Sequence, residues 1–155
     1  PYMYSRQVVA VAESSDLKSL SDLAGKSIAV RLSSQAESAL LGGTDSRIPA
    51  LGHVYSLRNA DEVITALRSG YVDACAGYAS VLQELLENAG FAYHFLSEDL
   101  MRAQLGIAFR PEGSTELRKK LTEALTEMHQ DGATARILEG YGLDSSRTLG
   151  GNSVE

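Results

Sequence analysis

Short β-branched and apolar runs, each closed by a polar or glycine-bearing turn, alternate along this chain with stretches whose apolar residues recur at three- and four-residue spacing. These are the signatures of strand and helix. Residues 7–12 (QVVAVA) end at the polar cluster Glu13-Ser14-Ser15-Asp16, which predicts a strand and then a loop. Residues 19–25 predict one helical turn stopped by Gly25. Residues 27–31 (SIAVR) predict a second strand, and Ser33-Ser34-Gln35 caps a helix over 36–41 that stops at Gly42-Gly43. Residues 53–57 (HVYSL) predict a third strand. Asn59-Ala60-Asp61-Glu62 is then a capping box that opens a helix with Val63, Ile64 and Leu67 on one face. Residues 72–76 (VDACA) predict a fourth strand, leading through Gly77-Tyr78 into a helix with Leu82, Leu85, Leu86 and Ala89 at helical spacing. Residues 91–96 (FAYHFL) predict a fifth.

Strands alternating with helices of about ten residues imply right-handed crossovers and a largely parallel sheet, an α/β lobe over about 26–96. The pattern then changes. Residues 105–109 (LGIAF) predict a last strand, and Pro111-Glu112-Gly113-Ser114 a turn and cap. Leu117, Leu121, Ala124, Leu125 and Met128 stripe a long amphipathic helix, and a short helix over 133–139 follows Asp131-Gly132. The tail, 144–155, has little to bury and is predicted to be flexible. The flanks hold too few strands for a second sheet, so one lobe reads as whole and the other as cut. There is no internal repeat.

Composition narrows the class. At 155 residues with 44% hydrophobic and 6% aromatic, the chain fits one domain or two small lobes. Fourteen Lys and Arg against 20 Asp and Glu give a net charge of −6, which argues against nucleic-acid or anionic-lipid surfaces and leaves small molecules or proteins as partners. No apolar run approaches the roughly 18 residues needed to span a bilayer. The single cysteine, Cys75, makes no intrachain disulfide. The chain opens on Pro1-Tyr2-Met3-Tyr4 without initiator Met or leader, as expected of a processed product or a piece of a longer chain.

Candidate chemistry is sparse. His53, His94 and His129 have no metal-ligand spacing, and no GxSxG, GxxxxGKS or GxGxxG is present, so neither cofactor nor metal nor catalytic residue is expected. Cys75 lies within an apolar strand and reads as a small core residue. The best-founded site is Ser33-Ser34-Gln35. A helix starting just beyond a parallel strand offers unpaired N–H groups and a partial positive charge, suited to a carboxylate or phosphate. An ordinary serine cap explains the same residues. Tyr78, at the end of the fourth strand, stands over the same crevice or packs. Arg31, last in its strand, adds a cation near Ser34 or lies on the surface.

Four blocks in order resemble the extracellular solute-binding proteins of family 3, which serve amino-acid ABC importers. They are residues 19–30 (SLSDLAGKSIAV), 67–74 (LRSGYVDA), 105–110 (LGIAFR), and Asp131-Gly132 with 137–142 (ILEGYG). The resemblance runs from Pro1 to about Leu143. It implies a type II periplasmic-binding fold, two α/β lobes joined by crossing strands that close on a ligand. Residues 1–25 are then a crossover strand and linker, 26–96 the second lobe, and 97–112 the return crossover. Residues 113–143 become carboxyl-terminal helices of a first lobe whose amino-terminal part is missing, with 144–155 a flexible tail.

Carried over by position, the family's Gly-Ser/Thr carboxylate grip falls on Ser33-Ser34, so a serine replaces the glycine. The family's ammonium-pairing aspartate falls on Tyr78, which carries no charge. Asp73 matches a structural position. The resemblance implies no enzyme but the substrate-binding component of a bacterial ABC importer. It would take a small polar or anionic solute, an amino acid or related carboxylate, between its lobes and deliver it to a membrane permease. The expected location is periplasmic or extracellular, free or lipid-anchored, from a precursor with a signal peptide. Alternatives are the sensor domain of a receptor kinase, which would bring transmembrane helices where this chain ends soon after its last helix, and a cyclic amino-acid-precursor dehydratase on the same fold. The effector domain of a transcription regulator ranks below both. Open sheet edges make self-association of the fragment a hazard.

Overall fold

Val8, Val9, Ala10 and Val11 are each fully shielded from solvent, because the strand that carries them, β1 (Met3–Ala12), runs inside a sheet covered on both faces. The computed structural model describes residues 2–149. Its further strands are β2 (Ser27–Arg31), β3 (His53–Leu57), β4 (Ala74–Tyr78), β5 (Tyr93–Phe95) and β6 (Met101–Leu105). The sheet order is β3-β2-β4-β1-β5, with β6 also paired to β1. β2 is parallel to both β3 and β4, while β1 is antiparallel to β4 and β5. The parallel character is thus confined to three strands, and β1 stands between β4 and β5.

The described chain forms two compact units, one of residues 6–102 and one of residues up to Ser5 and from Ala103 onward. In the larger unit, α1 (Gln35–Leu41) packs Ala36 and Leu40 with Val9, Val11, Ile28, Val30, Leu96 and Leu100 on one face. On the other face α2 (Ala60–Arg68) and α3 (Ala79–Asn88) bring Val63, Ile64, Leu67, Leu82 and Leu86 onto Val8, Ala10, Ala29 and Cys75. Residues 20–23 form a single 3-10 turn whose Leu20 and Leu23 are buried. Asn59 caps α2 as the capping box predicts, its side-chain oxygen accepting the Glu62 N–H at 2.9 Å.

Two strands lie elsewhere than the apolar pattern predicts. The fourth starts at Ala74 rather than Val72, because Asp73 is occupied in a clamp: its carboxylate accepts the Ser27 N–H at 2.8 Å and the Ser27 hydroxyl at 2.9 Å. The backbone hydrogen bond from Ser27 holds the Asp73 carboxyl below the ordinary aspartate value. The last strand is 101–105, not 105–109. Half-buried Met101, Ala103 and Leu105 alternate there with exposed Arg102 and Gln104, the period-two pattern of a strand, whereas Gly106 interrupts the longer apolar run.

The smaller unit carries α4 (Thr115–Gln130), α5 (Ala133–Gly140) and α6 (Ser145–Thr148). Ser114 caps α4, accepting the Leu117 N–H at 3.1 Å, and Gly132 takes a left-handed φ of 76° to turn the chain into α5. None of the α4 residues is buried. Its apolar stripe, with Leu121 and Leu125, faces an open cavity of ≈ 510 Å³ lined also by Tyr4, Phe109, His129 and Leu149. Within the tail expected to be flexible, 145–148 is helical and Thr148 is buried. Residues from Gly150 on lie outside the described residues.

Candidate functional site

The carboxyl ends of β2, β3 and β4 lie at one edge of the sheet, and the chain leaving β2 there is bound in a compact set of contacts. The Leu32 N–H donates to the Leu57 carbonyl at 2.7 Å, and the Ser34 N–H to the Arg31 carbonyl at 3.2 Å. Between them Ser33 takes a left-handed φ of 58°, the only non-glycine among the described residues to do so. Its N–H donates to one oxygen of the Glu37 carboxylate at 2.7 Å. The other Glu37 oxygen accepts from the Ser56 hydroxyl. The Ser34 hydroxyl in turn caps α1 by accepting the Glu37 N–H at 3.1 Å.

Of the two N–H groups expected to face an anion, Ser34's is therefore engaged with Arg31, and Gln35's is the one left to that role. The Glu37 carboxylate beside the turn opposes a second negative charge there. Glu37 was legible in the Ser-x-x-Glu spacing of a capping box from Ser34 to Glu37, a signal the serines themselves overshadowed.

A left-handed conformation costs an L-residue with a Cβ about 1–2 kcal/mol that glycine does not incur. Ser33→Gly is accordingly expected to raise folding stability by about 1 kcal/mol, somewhat offset by the greater freedom of glycine in the unfolded chain. A urea unfolding midpoint checks it, and a lowered midpoint would mean that the Ser33 hydroxyl contributes more than its backbone costs.

Ser33, Ser34, Gln35 and Ser38 line one side of an open hollow of ≈ 400 Å³ whose other walls are Thr44 and Asp45, and Leu100 and Met101. The lining is mostly neutral hydrogen-bonding groups. Its carboxylate, Asp45, is paired with Arg47 at 2.5 Å, and that guanidinium holds the Asp45 carboxyl below its ordinary value. Tyr78 and Arg31 do not join Ser33, Ser34 and Gln35 in this hollow. Tyr78 is 38% exposed, at the capping position of α3 without a side-chain cap bond, and lies opposite Gln7 in the β1–β4 ladder. Arg31 is exposed at the end of β2.

Gln7 went unnoticed in the sequence. It is 2% exposed and neither polar atom of its side chain has a partner among the described residues. The one sign of it is a polar residue opening an otherwise apolar strand.

The remaining candidate groups do other things. No cluster of three metal-ligating side chains occurs among the described residues. His53 packs against Tyr55 in a tilted arrangement with ring centroids 4.2 Å apart, and a ring nitrogen of His94 lies 2.9 Å from the Leu17 carbonyl oxygen. Burial pushes the Cys75 thiol up to about 12, so it is no nucleophile at neutral pH.

A three-strand parallel core flanked by helices, with the long strand β1 beside it paired to the short β6, has the α/β architecture of the type II periplasmic-binding proteins. Residues 3–149 match the family described as ABC transporter, phosphonate, periplasmic substrate-binding protein, and the chain belongs to that family.

Its relatives are amino-acid-binding proteins by name. The probable amino-acid-binding protein YxeM of Bacillus subtilis (strain 168) is 26% identical over 144 residues, 91% of this chain and 53% of that protein. The chain thus spans about half the length of this curated relative. Among solved structures, the probable amino-acid ABC transporter extracellular-binding protein ytmK from Bacillus subtilis superposes with a TM-score of 0.75 at 20% identity, over 90% of this chain and 60% of that one. The second substrate-binding domain of a putative amino acid ABC transporter from Streptococcus pneumoniae gives 0.72 at 17% identity, over 90% and 65%. At such identities the structural likeness establishes the fold alone. No helix among the described residues is long and apolar enough to cross a membrane.

Proposed function

We propose that this chain is the solute-holding part of the substrate-binding component of an ABC importer. It takes a small polar solute, an amino acid or related carboxylate, on the outer side of the cytoplasmic membrane and delivers it to a permease. The observation that carries this reading is the hollow at the start of α1, where four hydroxyl side chains and the Gln35 amide converge. Hydroxyls and a helix start hold a carboxylate by hydrogen bonds without a fixed cation. Family membership supports the same reading, and no residue of the chain is proposed as catalytic. The solute's acidic group is assigned to the Ser34 hydroxyl proton and the Gln35 N–H, the donors that Arg31 and Glu37 leave open on that side, with the hydroxyls of Ser38 and Thr44 offsetting the nearby Glu37 charge. Tyr78 stands outside the hollow at the carboxyl end of β4. Uncharged where the family resemblance puts an aspartate, it offers no counter-charge to an amino group reaching beyond the hollow, which favours a solute whose amino group is absent or substituted.

A thermal-shift screen of the full-length protein tests both parts, with amino acids set against their deaminated and N-substituted counterparts and against alkylphosphonates. A bound solute at a hundred times its Kd stabilises by about 2.7 kcal/mol, so a rise of several degrees is expected with the deaminated or substituted acids. Ser34→Ala should reduce it. No shift with any of these compounds overturns the function. Strong selection of an unmodified amino acid that disappears in Tyr78→Ala overturns the role given to Tyr78.

A further inference from the structure

Two walls of the hollow come from distant parts of the chain, Thr44 and Asp45 after α1, and Leu100 and Met101 at the start of β6. One side chain joins them. The Arg47 Nε and Nη2 donate to the Asp45 carboxylate, at 3.0 and 2.5 Å, while Nη1 donates to the Asp99 carbonyl at 3.1 Å and Nη2 also to the Leu100 carbonyl at 3.1 Å. A planar guanidinium reaches both partners because its donors point in fixed, divergent directions, which an ammonium does not reproduce. The Leu100 wall is anchored a second time. Its neighbour Asp99 accepts from the Nε and Nη2 of Arg6 and from the Nε of Arg102. Arg47 is thus the staple between a wall fixed to the sheet and a wall that otherwise hangs on a loop.

We propose that Arg47 is a positioning and specificity-determining residue. It does not touch the solute but sets the width of the hollow, and so which solutes fit by size. This inference rests on the solute-binding reading above. Because Arg47 is 47% exposed, its loss should cost the fold little while freeing the Asp45 wall.

The test uses the full-length protein and its Arg47→Met and Arg47→Lys variants. Hydrogen exchange of the unliganded proteins is expected to rise at least threefold in Arg47→Met over 44–48, where the Arg47 and Ile48 N–H groups donate to Asp45, and to rise in Arg47→Lys as well, since lysine keeps the charge but not the fork. Calorimetry with 2-hydroxy acids and L-amino acids from three to six carbons is expected to show selection by chain length in the wild type. That selection should weaken at least fivefold in Arg47→Met. Unchanged exchange in Arg47→Met overturns the staple, with or without a solute in hand. Altered exchange with the length preference kept within twofold overturns the link to specificity. A wild type that binds no member of the series while the exchange rises as expected points instead to failure of the solute-binding reading, and the specificity role falls with it.

Discussion

Asp99→Ala is expected to destabilise the protein by about 3–5 kcal/mol, the usual cost of removing one partner from a buried ion pair. Asp99 and Arg6 are each 8% exposed and joined at 2.6 Å, with Arg6 Nε shared between both carboxylate oxygens. Without the carboxylate, the Arg6 guanidinium stays buried and unpaired. The same carboxylate holds Arg102, which is 40% exposed, so Arg102→Ala should cost below about 1 kcal/mol and serves as the control.

The effect has a pH signature. Burial opposes ionisation of Asp99, but hydrogen bonds from Arg6 and Arg102 outweigh it and hold the carboxyl below its ordinary value. A carboxyl lowered in the folded state contributes its stability above the unfolded value, about 3.9, and loses it as pH falls through the lower folded value. The wild type should therefore lose stability below about pH 4 more steeply than Asp99→Ala. Urea unfolding at pH 7 and at a series of acid values measures both. A loss under 1 kcal/mol at neutral pH would show that the Arg6 charge reaches water.

Leu100→Ala, next in size, should cost about 2–5 kcal/mol, the transfer term plus the cavity left in a packed core. Leu100 is 1% exposed, packs in the cluster with Val9, Ala36 and Leu40, and sends its N–H to the Gln7 carbonyl at 2.8 Å. It also lines the hollow, so the truncation should deepen it. Leu100→Met, which conserves volume, should cost less than about 1.5 kcal/mol. Chemical denaturation of the three proteins separates the outcomes, and equal stability of Leu100→Ala and wild type would place this side chain outside the core.

Local patterns carried much of the fold. Residues 27–31 and 53–57 are strands with the bounds their apolar runs predict, and α2 begins at the capping box of Asn59, because neighbours in sequence alone determine caps, turns and face periodicity. Strand β4 slid by two residues, and β6 lies just ahead of the apolar run that was expected to form it. In both cases the deciding interactions are remote in sequence: the Asp73 carboxylate on the Ser27 amide, and the pairing of β6 with β1.

The site divides in the same way. The serine cap at Ser34 and the polar turn before it were legible from the sequence, since a cap bonds its own helix. That the Ser56 hydroxyl holds the second Glu37 oxygen and that Gln7 is enclosed without a partner among the described residues depend on what the fold brings alongside. So do the separation of Tyr78 and Arg31 from the hollow and the arrival of Leu100 and Met101 in its wall. The amino-acid sequence by itself determined the class of protein, through the order of its strands, helices and matching blocks. The shape and charge of the hollow were decided only by tertiary structure, because they arise from contacts such as Arg47 to Leu100 across 53 positions of chain. No local propensity encodes a contact of that span.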